Sequence, residues 1–256
     1  MLPTERLDYS AIAERKKLEL PGGARLAIWV IVNVEEWDPK ETMPRTVLTP
    51  PAGGAPMPDI PNWAWHEYGN RVGFWRMLDM FDDLRIPAVL AINGSAISRY
   101  EPIVRAARER NWEFIGHGFS QKNMQKVADE RDDIRRTGAA IREATGKNPR
   151  GWLGPGLTET WETPDLLAEE GYDYVCDWVL DDEPVVLKTR DRPVRTAIQR
   201  RAAWRPRDGA RAAPLHHGRA ARLRYVRDAL AHIRGHDDVV FWTGEQILDW
   251  YLQERR

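Results

Sequence analysis

The sequence has little of what marks several common classes of protein. Its single cysteine, Cys176, excludes an intramolecular disulfide and a multi-cysteine metal site. No apolar run approaches the ~20 residues that cross a bilayer, and residues 1–17 are mixed and charged, without the apolar core of a signal peptide. We therefore expect a soluble cytoplasmic protein that does not act at a membrane.

The sequence also lacks an excess of charge of either sign and the common nucleotide-binding motifs. Lys and Arg number 38 against 39 Asp and Glu, so the net charge is −1 and no general attraction to nucleic acid is expected. The chain contains no Walker-type loop, no Gly-x-Gly-x-x-Gly after the first strand and no His-Glu-x-x-His. It does contain 42% apolar residues and 12 tryptophans, which is enough for a sizeable core.

Hydrophobic periodicity predicts alternating strands and helices after a polar N-terminal arm, residues 1–21. The apolar run 26–34 is typical of a strand buried on both faces, and a Pro- and Gly-rich loop, 38–62, follows it. Further strands are predicted at 88–92, 112–115, 151–153, 172–178 and 239–241, with helices at 71–84, 103–110, 129–145, 163–170, 223–233 and from 243 onward. The pattern indicates a single α/β domain over 1–256 with a mainly parallel sheet, for which an open doubly wound sheet and a (β/α) barrel both fit.

Polar residues fall at the carboxyl ends of successive predicted strands. They are Glu35, Glu36, Asn93, His117 and Asp177. In (β/α) barrels this rim carries the active site, whereas in an open sheet such residues converge only near a switch point. Their placement therefore favours a barrel with a site at its rim.

Two of these strand ends offer catalytic side chains. Glu35 or Glu36 could act as a general base or bind a metal, or the two could be solvated loop acids. His117 could bind metal or transfer a proton near neutral pH, or it could be a structural histidine. Gln121, four residues on, could face the same site, although an amide is a poorer metal ligand than an imidazole.

Other segments are candidates for substrate contact. Trp65, Tyr68 and Arg71 could recognise a planar or polyhydroxylated ligand, or their segment could pack a helix start into the core. The loop after Trp152 could supply backbone N–H groups to an oxyanion, or be a simple turn. Asp177 could orient a catalytic arginine or histidine.

The segment 190–222 shows neither the periodicity of a helix nor that of a strand. Eleven arginines lie between positions 190 and 224, where lysine is absent. Three interpretations stay open: a basic arm for nucleic acid or phosphate, an ordinary surface loop, and a stretch whose reading frame has slipped.

The order of these motifs resembles the polysaccharide deacetylase family, the NodB-homology domain of carbohydrate esterases, and its allantoinase-like branch above all. The motifs that carry the resemblance are Asn33-Val-Glu-Glu36, Gly116-His117 through Gln121, Gly151-Trp-Leu-Gly-Pro155, Cys176-Asp-Trp178 and, for that branch, Tyr68-Gly-Asn-Arg71. The resemblance covers residues 26–187 and 223–250. It implies a distorted (β/α) barrel of about seven strands and hydrolysis of a non-peptide C–N amide bond.

The resemblance also assigns roles, with three departures from the family pattern. Glu35 takes the place of the base, and Glu36, His117 and Gln121 take the places of a metal-binding Asp-His-His set, so either no metal or a weakly bound divalent ion such as Zn²⁺ is expected. Glutamates thus replace the paired aspartates, and Gln121 replaces a histidine. The late histidine that protonates the leaving amine should fall within 190–222, where no such motif is recognisable and the barrel is incomplete if the frame has slipped.

The expected substrate is an N-acylated sugar or a small cyclic amide such as a ureide. Trp65, Tyr68, Arg71, Trp152 and Asp177 are the predicted substrate-binding residues. The alternative is a catalytically impaired or truncated homologue that only binds carbohydrate. Self-association through exposed aromatic side chains stays open.

Overall fold

Helices and strands alternate along the chain as its periodicity predicts. The computed structural model describes residues 1–49, 54, 56–196, 211–212 and 220–255. Its strands are β1 (Leu26–Ile28), β2 (Ile31–Val34), β3 (Val89–Ile92), β4 (Glu113–Gly116), β5 (Gly151–Trp152), β6 (Tyr174–Val175), β7 (Val186–Leu187), β8 (Val194–Thr196), β9 (Arg211–Ala212) and β10 (Val239–Phe241). Its helices are α1 (Pro3–Arg6), α2 (Ile60–Tyr68), α3 (Phe74–Leu84), α4 (Gly94–Arg99), α5 (Glu101–Glu109), α6 (Glu130–Thr145), α7 (Thr163–Glu169), α8 (Ala220–Arg234) and α9 (Gly244–Glu254), with a π-helical turn, Gly69–Gly73, between α2 and α3.

Side-chain caps fix where several helices begin. The Asp59 carboxylate accepts from the Asn62 N–H at the start of α2, and the Asp129 carboxylate accepts from the Asp132 N–H at the start of α6. Thr243 and Gln246 form a capping box at α9. Each cap satisfies backbone N–H groups that the first helical turn leaves without a partner.

The sheet is almost entirely parallel. Its eight strands run in the order β7-β8-β6-β5-β4-β3-β2-β9, with β7 and β8 the antiparallel pair, while β1 pairs with β10 in a second, two-stranded sheet. This arrangement confirms the predicted α/β class. In the described ranges no ladder joins β7 or β9 to the β1–β10 pair.

The first strand differs from its prediction. The run 26–34 is interrupted at Trp29 and Val30, and the chain changes partner there: the carbonyl of Ile28 accepts from Trp242, and the carbonyl of Val30 accepts from Val89. The predicted loop 38–62 also ends early, because α2 begins at Ile60.

Register places the rim residues side by side. Val34 pairs with Ile92, and Ile92 pairs with Gly116. The residues that follow these three, Glu35, Asn93 and His117, therefore leave the sheet at the same edge, the carboxyl edge of the parallel strands.

The hydrophobic core lies between the central strands and the helices that cover them. Its largest cluster joins β2, β3 and β4 to α3, α5 and α8.

None of the helices in the described part of the chain combines the length and apolar character of a membrane span. Most of the segment 190–222, including His216 and His217, lies outside the described residues, so its three interpretations stay predictions.

The N-terminal arm is tied down by one buried arginine. The Arg6 guanidinium is 1% exposed and forms two hydrogen bonds with Asp165, at 3.1 and 2.6 Å. It also donates to the carbonyls of Trp161 and Lys188. The arm is therefore held against α7 and the strand β7.

A buried carboxyl group makes the stability of the fold depend on pH. Glu113, at the start of β4, accepts from the Tyr174 hydroxyl at 2.5 Å and from the Glu245 N–H at 3.0 Å. Burial raises the pKa of Glu113 to about 7, against the opposing effect of these two bonds. Since the folded pKa lies above the unfolded value of about 4.3, stability is greatest below about pH 4.3 and falls as pH rises from there through 7, by about 4 kcal/mol in all.

Glu113→Gln should remove this pH dependence. A glutamine has one side-chain oxygen where Glu113 uses both of its oxygens as acceptors, and it carries no charge. Its free energy of unfolding should therefore change by about 2–3 kcal/mol less than that of the wild type between pH 5 and pH 8. Urea denaturation at the two pH values measures the difference. Glu101→Gln, at an exposed position, is the control, and an unchanged slope in Glu113→Gln would contradict the assignment.

Candidate active site

A carboxylate and an imidazole meet at the carboxyl edge of the sheet. Glu35 Oε1, after β2, lies 3.4 Å from His117 Nε2, after β4. The His117 side chain is 2% exposed and that of Glu35 is 20% exposed. The pair is thus reachable from solvent mainly through Glu35.

The orientation of His117 is fixed through the ring nitrogen that faces away from Glu35. Its Nδ1 lies within hydrogen-bond distance of the Leu153 carbonyl, at the end of β5. Because a carbonyl only accepts, Nδ1 carries the hydrogen and Nε2 is left for the site. The side-chain amide of Asn33 lies 3.5 Å from the same Nε2. Gly118, at a φ of +72°, makes the tight turn directly after the histidine.

Glu35 is held in its ionised form. Burial alone raises its pKa, but the bond to His117 and the Trp37 Nε1–H, which donates to Oε2 at 2.7 Å, outweigh burial and lower the pKa to about 2. Glu35 is therefore a carboxylate over the whole physiological range, and its two oxygens have different partners.

Asn93 connects the two loops that carry this pair. Its Oδ1 accepts from the Glu36 N–H at 2.9 Å, and its Nδ2 donates to the His117 carbonyl and to Gln121 Oε1. Asn93 is completely buried. The spacing of Glu35 and His117 is thus set by a hydrogen-bonded side chain from the strand between them.

An aromatic stack packs beside Glu35. The rings of Trp37 and His66 lie parallel, with centroids 4.4 Å apart. Burial lowers the pKa of His66, so this imidazole is neutral at physiological pH. Asn70 donates to the Glu35 carbonyl at 3.1 Å and lies 3.4 Å from His66 Nε2. Helix α2 and the π-helical turn therefore position the Glu35 backbone.

The predicted metal ligands are not brought together. Glu36 turns its carboxylate to Arg99, at 3.7 Å, and the Gln121 amide oxygen accepts from Asn93. Within the described ranges no three His, Cys, Asp or Glu side chains form a group that could hold a metal ion. Glu35 and His117 alone leave a three-ligand Zn²⁺ site incomplete, so the residues present do not fit the metal centre that the resemblance implies.

The predicted substrate-binding residues lie in different surroundings. Trp65 packs edge-on against Tyr68, with centroids 6.1 Å apart, and the Tyr68 hydroxyl accepts from Arg76. Arg71 is exposed. Trp152 is completely buried, because β5 directs it into the core against Tyr172. This burial corrects the expectation that Trp152 contacts substrate.

Asp177 belongs to a carboxyl pair beside a cavity. Both of its oxygens accept from the Gly154 N–H, at 3.0 and 2.9 Å. Burial and the neighbouring Asp177 charge raise the pKa of Glu159 to about 9, although Trp178 Nε1 donates to Glu159 at 2.7 Å. The two carboxyl groups line a cavity of about 590 Å³ between α7 and the β6 end. Since the Gly154 N–H is taken by Asp177, it is not free to bind an oxyanion.

Sequence reasoning passed over three residues of this region. Trp37 and Asn70 contact Glu35 directly, and the Glu159 carboxyl group lies beside that of Asp177. Trp37 follows the Glu35-Glu36 pair at once, a position that could have marked it. Asn70 and Glu159 lie in a π-helical turn and a Gly/Pro loop, where neither strand nor helix periodicity predicts a side-chain direction.

Comparison with known proteins agrees with the motif order. A sequence model of polysaccharide deacetylases matches residues 65–175. A curated Schizosaccharomyces pombe protein whose name assigns it to the polysaccharide deacetylases is 30% identical over 146 residues, which cover 52% of this chain and 45% of that protein. The resemblance to the polysaccharide deacetylase family is confirmed.

Two crystal structures are similar over nearly the whole chain. One is a probable polysaccharide deacetylase from Pseudomonas aeruginosa PAO1, with a TM-score of 0.78, 22% identity and coverage of 92% of this chain and 93% of that one. The other is the Puue allantoinase, with a TM-score of 0.80, 20% identity and coverage of 96% and 98%. These likenesses confirm the NodB-type deacetylase fold. The chain spans less than half the length of the curated relatives it matches.

Proposed function

We propose that this chain hydrolyses a non-peptide C–N amide bond, with Glu35 as the general base and His117 as its partner. The observation that carries the proposal is the 3.4 Å contact between Glu35 Oε1 and His117 Nε2 at the carboxyl edge of the sheet. This is the edge at which parallel α/β folds place their active sites. The matched deacetylase segment, 65–175, contains His117 and the Asn93 that spaces the pair.

The chemistry requires water activation, carbonyl polarisation and protonation of an amine. Glu35 accepts a proton from water as the water oxygen bonds to the acyl carbon. His117 in its protonated form donates through Nε2 to the oxygen on which charge develops. When the C–N bond breaks, Glu35 gives the proton that it took from water to the leaving nitrogen, so one water is consumed and a carboxylic acid and an amine are formed.

Glu35 is a weak base for this task, since its pKa lies near 2 in the resting pair. Substrate entry changes this balance. A carbonyl oxygen that accepts from His117 Nε2 takes that nitrogen away from Glu35. Losing the contact that lowers its pKa most raises the pKa of the carboxylate toward the usual range, so Glu35 becomes a better base when substrate is bound.

We propose that the substrate is an N-acylated sugar or a small cyclic amide such as a ureide. Asn33 Oδ1 is buried and has no hydrogen-bond partner among the described residues. A substrate N–H or hydroxyl near His117 would satisfy this acceptor. The Trp37–His66 stack packs beside Glu35, but both rings are buried, so it holds the carboxylate in place and does not contact a substrate.

A second candidate is carbohydrate binding without hydrolysis. It is favoured by the Glu36 and Gln121 contacts described above, which leave the metal positions of the family pattern unfilled.

An assay on two substrate classes tests the proposal. Purified protein is incubated with N-acetylglucosamine oligomers and with allantoin, each with and without a chelator, and released acetate or allantoate is measured. We expect turnover of one class, with a rate that the chelator does not abolish. Binding of the oligomers without any product from either class would support the second candidate instead.

A further inference from the structure

Two histidines face each other at the amino ends of the strands, the opposite end from Glu35. His232 lies in the last turns of α8, and His236 lies four residues on, between α8 and β10. Their Nε2 atoms are 3.4 Å apart, and their rings cross at 85° with centroids 4.9 Å apart. Both side chains are exposed.

This separation matches a shared metal ion. Zinc binds imidazole nitrogen at ~2.0–2.1 Å in tetrahedral geometry, which places two ligand nitrogens about 3.4 Å apart. His232 lies on α8 and His236 lies just beyond its end, so the turn that follows the helix brings the two rings together. A cation between the two Nε2 atoms would therefore need little movement of either ring.

The surroundings carry charge of both signs. The end of a helix such as α8 bears partial negative charge from its last carbonyl groups, which favours a cation. Asp237 and Asp238 follow His236 directly, and Asp238 pairs with Arg25 at 3.8 Å. Arg25 and Arg234 are nearby positive groups; Arg25 pairs with Asp238, and the Arg234 guanidinium lies over the Phe241 ring, 5.7 Å from the centroid.

We propose that His232 and His236 form a two-ligand site for Zn²⁺ or a similar transition-metal ion, completed by water. The site ties the end of α8 to the segment that enters β10. It lies at the amino ends of the strands, whereas Glu35 and His117 lie at the carboxyl ends. Its metal therefore stabilises the fold and takes no part in hydrolysis.

Titration of the full chain tests this site. Zinc chloride is added to the wild type, His232→Gln, His236→Gln and Tyr225→Phe, and heat of binding and thermal midpoint are measured. Magnesium chloride, which prefers oxygen ligands, is the second metal. Glutamine is close to histidine in size, and both positions are exposed, so the variants should fold.

We expect zinc, and not magnesium, to raise the thermal midpoint of the wild type and of Tyr225→Phe. Each histidine variant should lose one binding step and the corresponding rise. The ring C–H resonances of His232 and His236 should also shift together on addition of zinc. Equal zinc binding by His236→Gln and the wild type would overturn the proposal, and so would unshifted His232 and His236 resonances at saturating zinc. Other zinc-binding groups, including His117, are intact in these variants and do not affect the comparison.

Discussion

Glu35→Gln should lower kcat/KM for the hydrolysed substrate by about 10²–10⁴-fold, the usual contribution of a positioned general base. The amide has the same shape as the carboxylate and can still accept from Trp37 Nε1. It cannot take a proton from water. The loss should therefore appear in kcat more than in KM, measured by product release under steady-state conditions.

Two further glutamine variants make this result specific. Glu101→Gln, at an exposed position on α5, should retain wild-type activity. Glu36→Gln removes the adjacent carboxylate, which contacts Arg99 rather than His117, so its loss should be at least tenfold smaller than that of Glu35→Gln. A larger loss in Glu36→Gln than in Glu35→Gln would show that Glu36, and not Glu35, is the base. Equal activity of Glu35→Gln and the wild type would end the proposed mechanism.

Asp165→Asn should destabilise the fold by about 3–5 kcal/mol, the cost of leaving a buried charge without its partner. Arg6 and Asp165 are each 1% exposed and share two hydrogen bonds. Asp165 also accepts from the Arg190 N–H at 2.8 Å. The variant would leave the Arg6 guanidinium facing a neutral amide in a region that water does not reach. Equilibrium denaturation in urea at pH 7 gives the change in free energy of unfolding.

An exposed ion pair provides the matched comparison. Asp132 pairs with Arg135 on α6, where the two side chains are 38% and 61% exposed. Asp132→Asn should cost about 0.5 kcal/mol or less, because solvent screens such pairs. The double variant Arg6→Met with Asp165→Leu should recover much of the loss, since a buried pair is often replaceable by apolar side chains. Equal effects of Asp165→Asn and Asp132→Asn would show that Arg6 is not buried as described.

The sequence predicts the elements of this fold well because their causes are local. Thr243 marks the start of α9 through its own side chain, and Gly146 ends α6 in the left-handed conformation. The alternation of apolar strands with helices likewise predicts the parallel sheet. Val34, Ile92 and Gly116 then bring Glu35 and His117 to one edge by register alone.

The contacts within the site depend on causes that are not local. Glu35 and Glu36 are adjacent and chemically alike, yet one faces His117 and the other faces Arg99. That choice depends on Trp37, Asn70 and the direction in which the chain leaves β2. Trp152 illustrates the same limit: periodicity places it on a strand, and only the packing of Tyr172 against it shows that it is buried.

Because the strand is interrupted at Trp29 and Val30, catalysis depends on the number of residues between this interruption and Glu35. Before it the chain is paired with β10, and after it with β3. Glu35 stands a fixed number of residues beyond this crossover, and side chains on a strand alternate between its two faces. One residue inserted or deleted between Val30 and Glu35 would leave the composition almost unchanged, yet it would turn the carboxylate to the opposite face from His117.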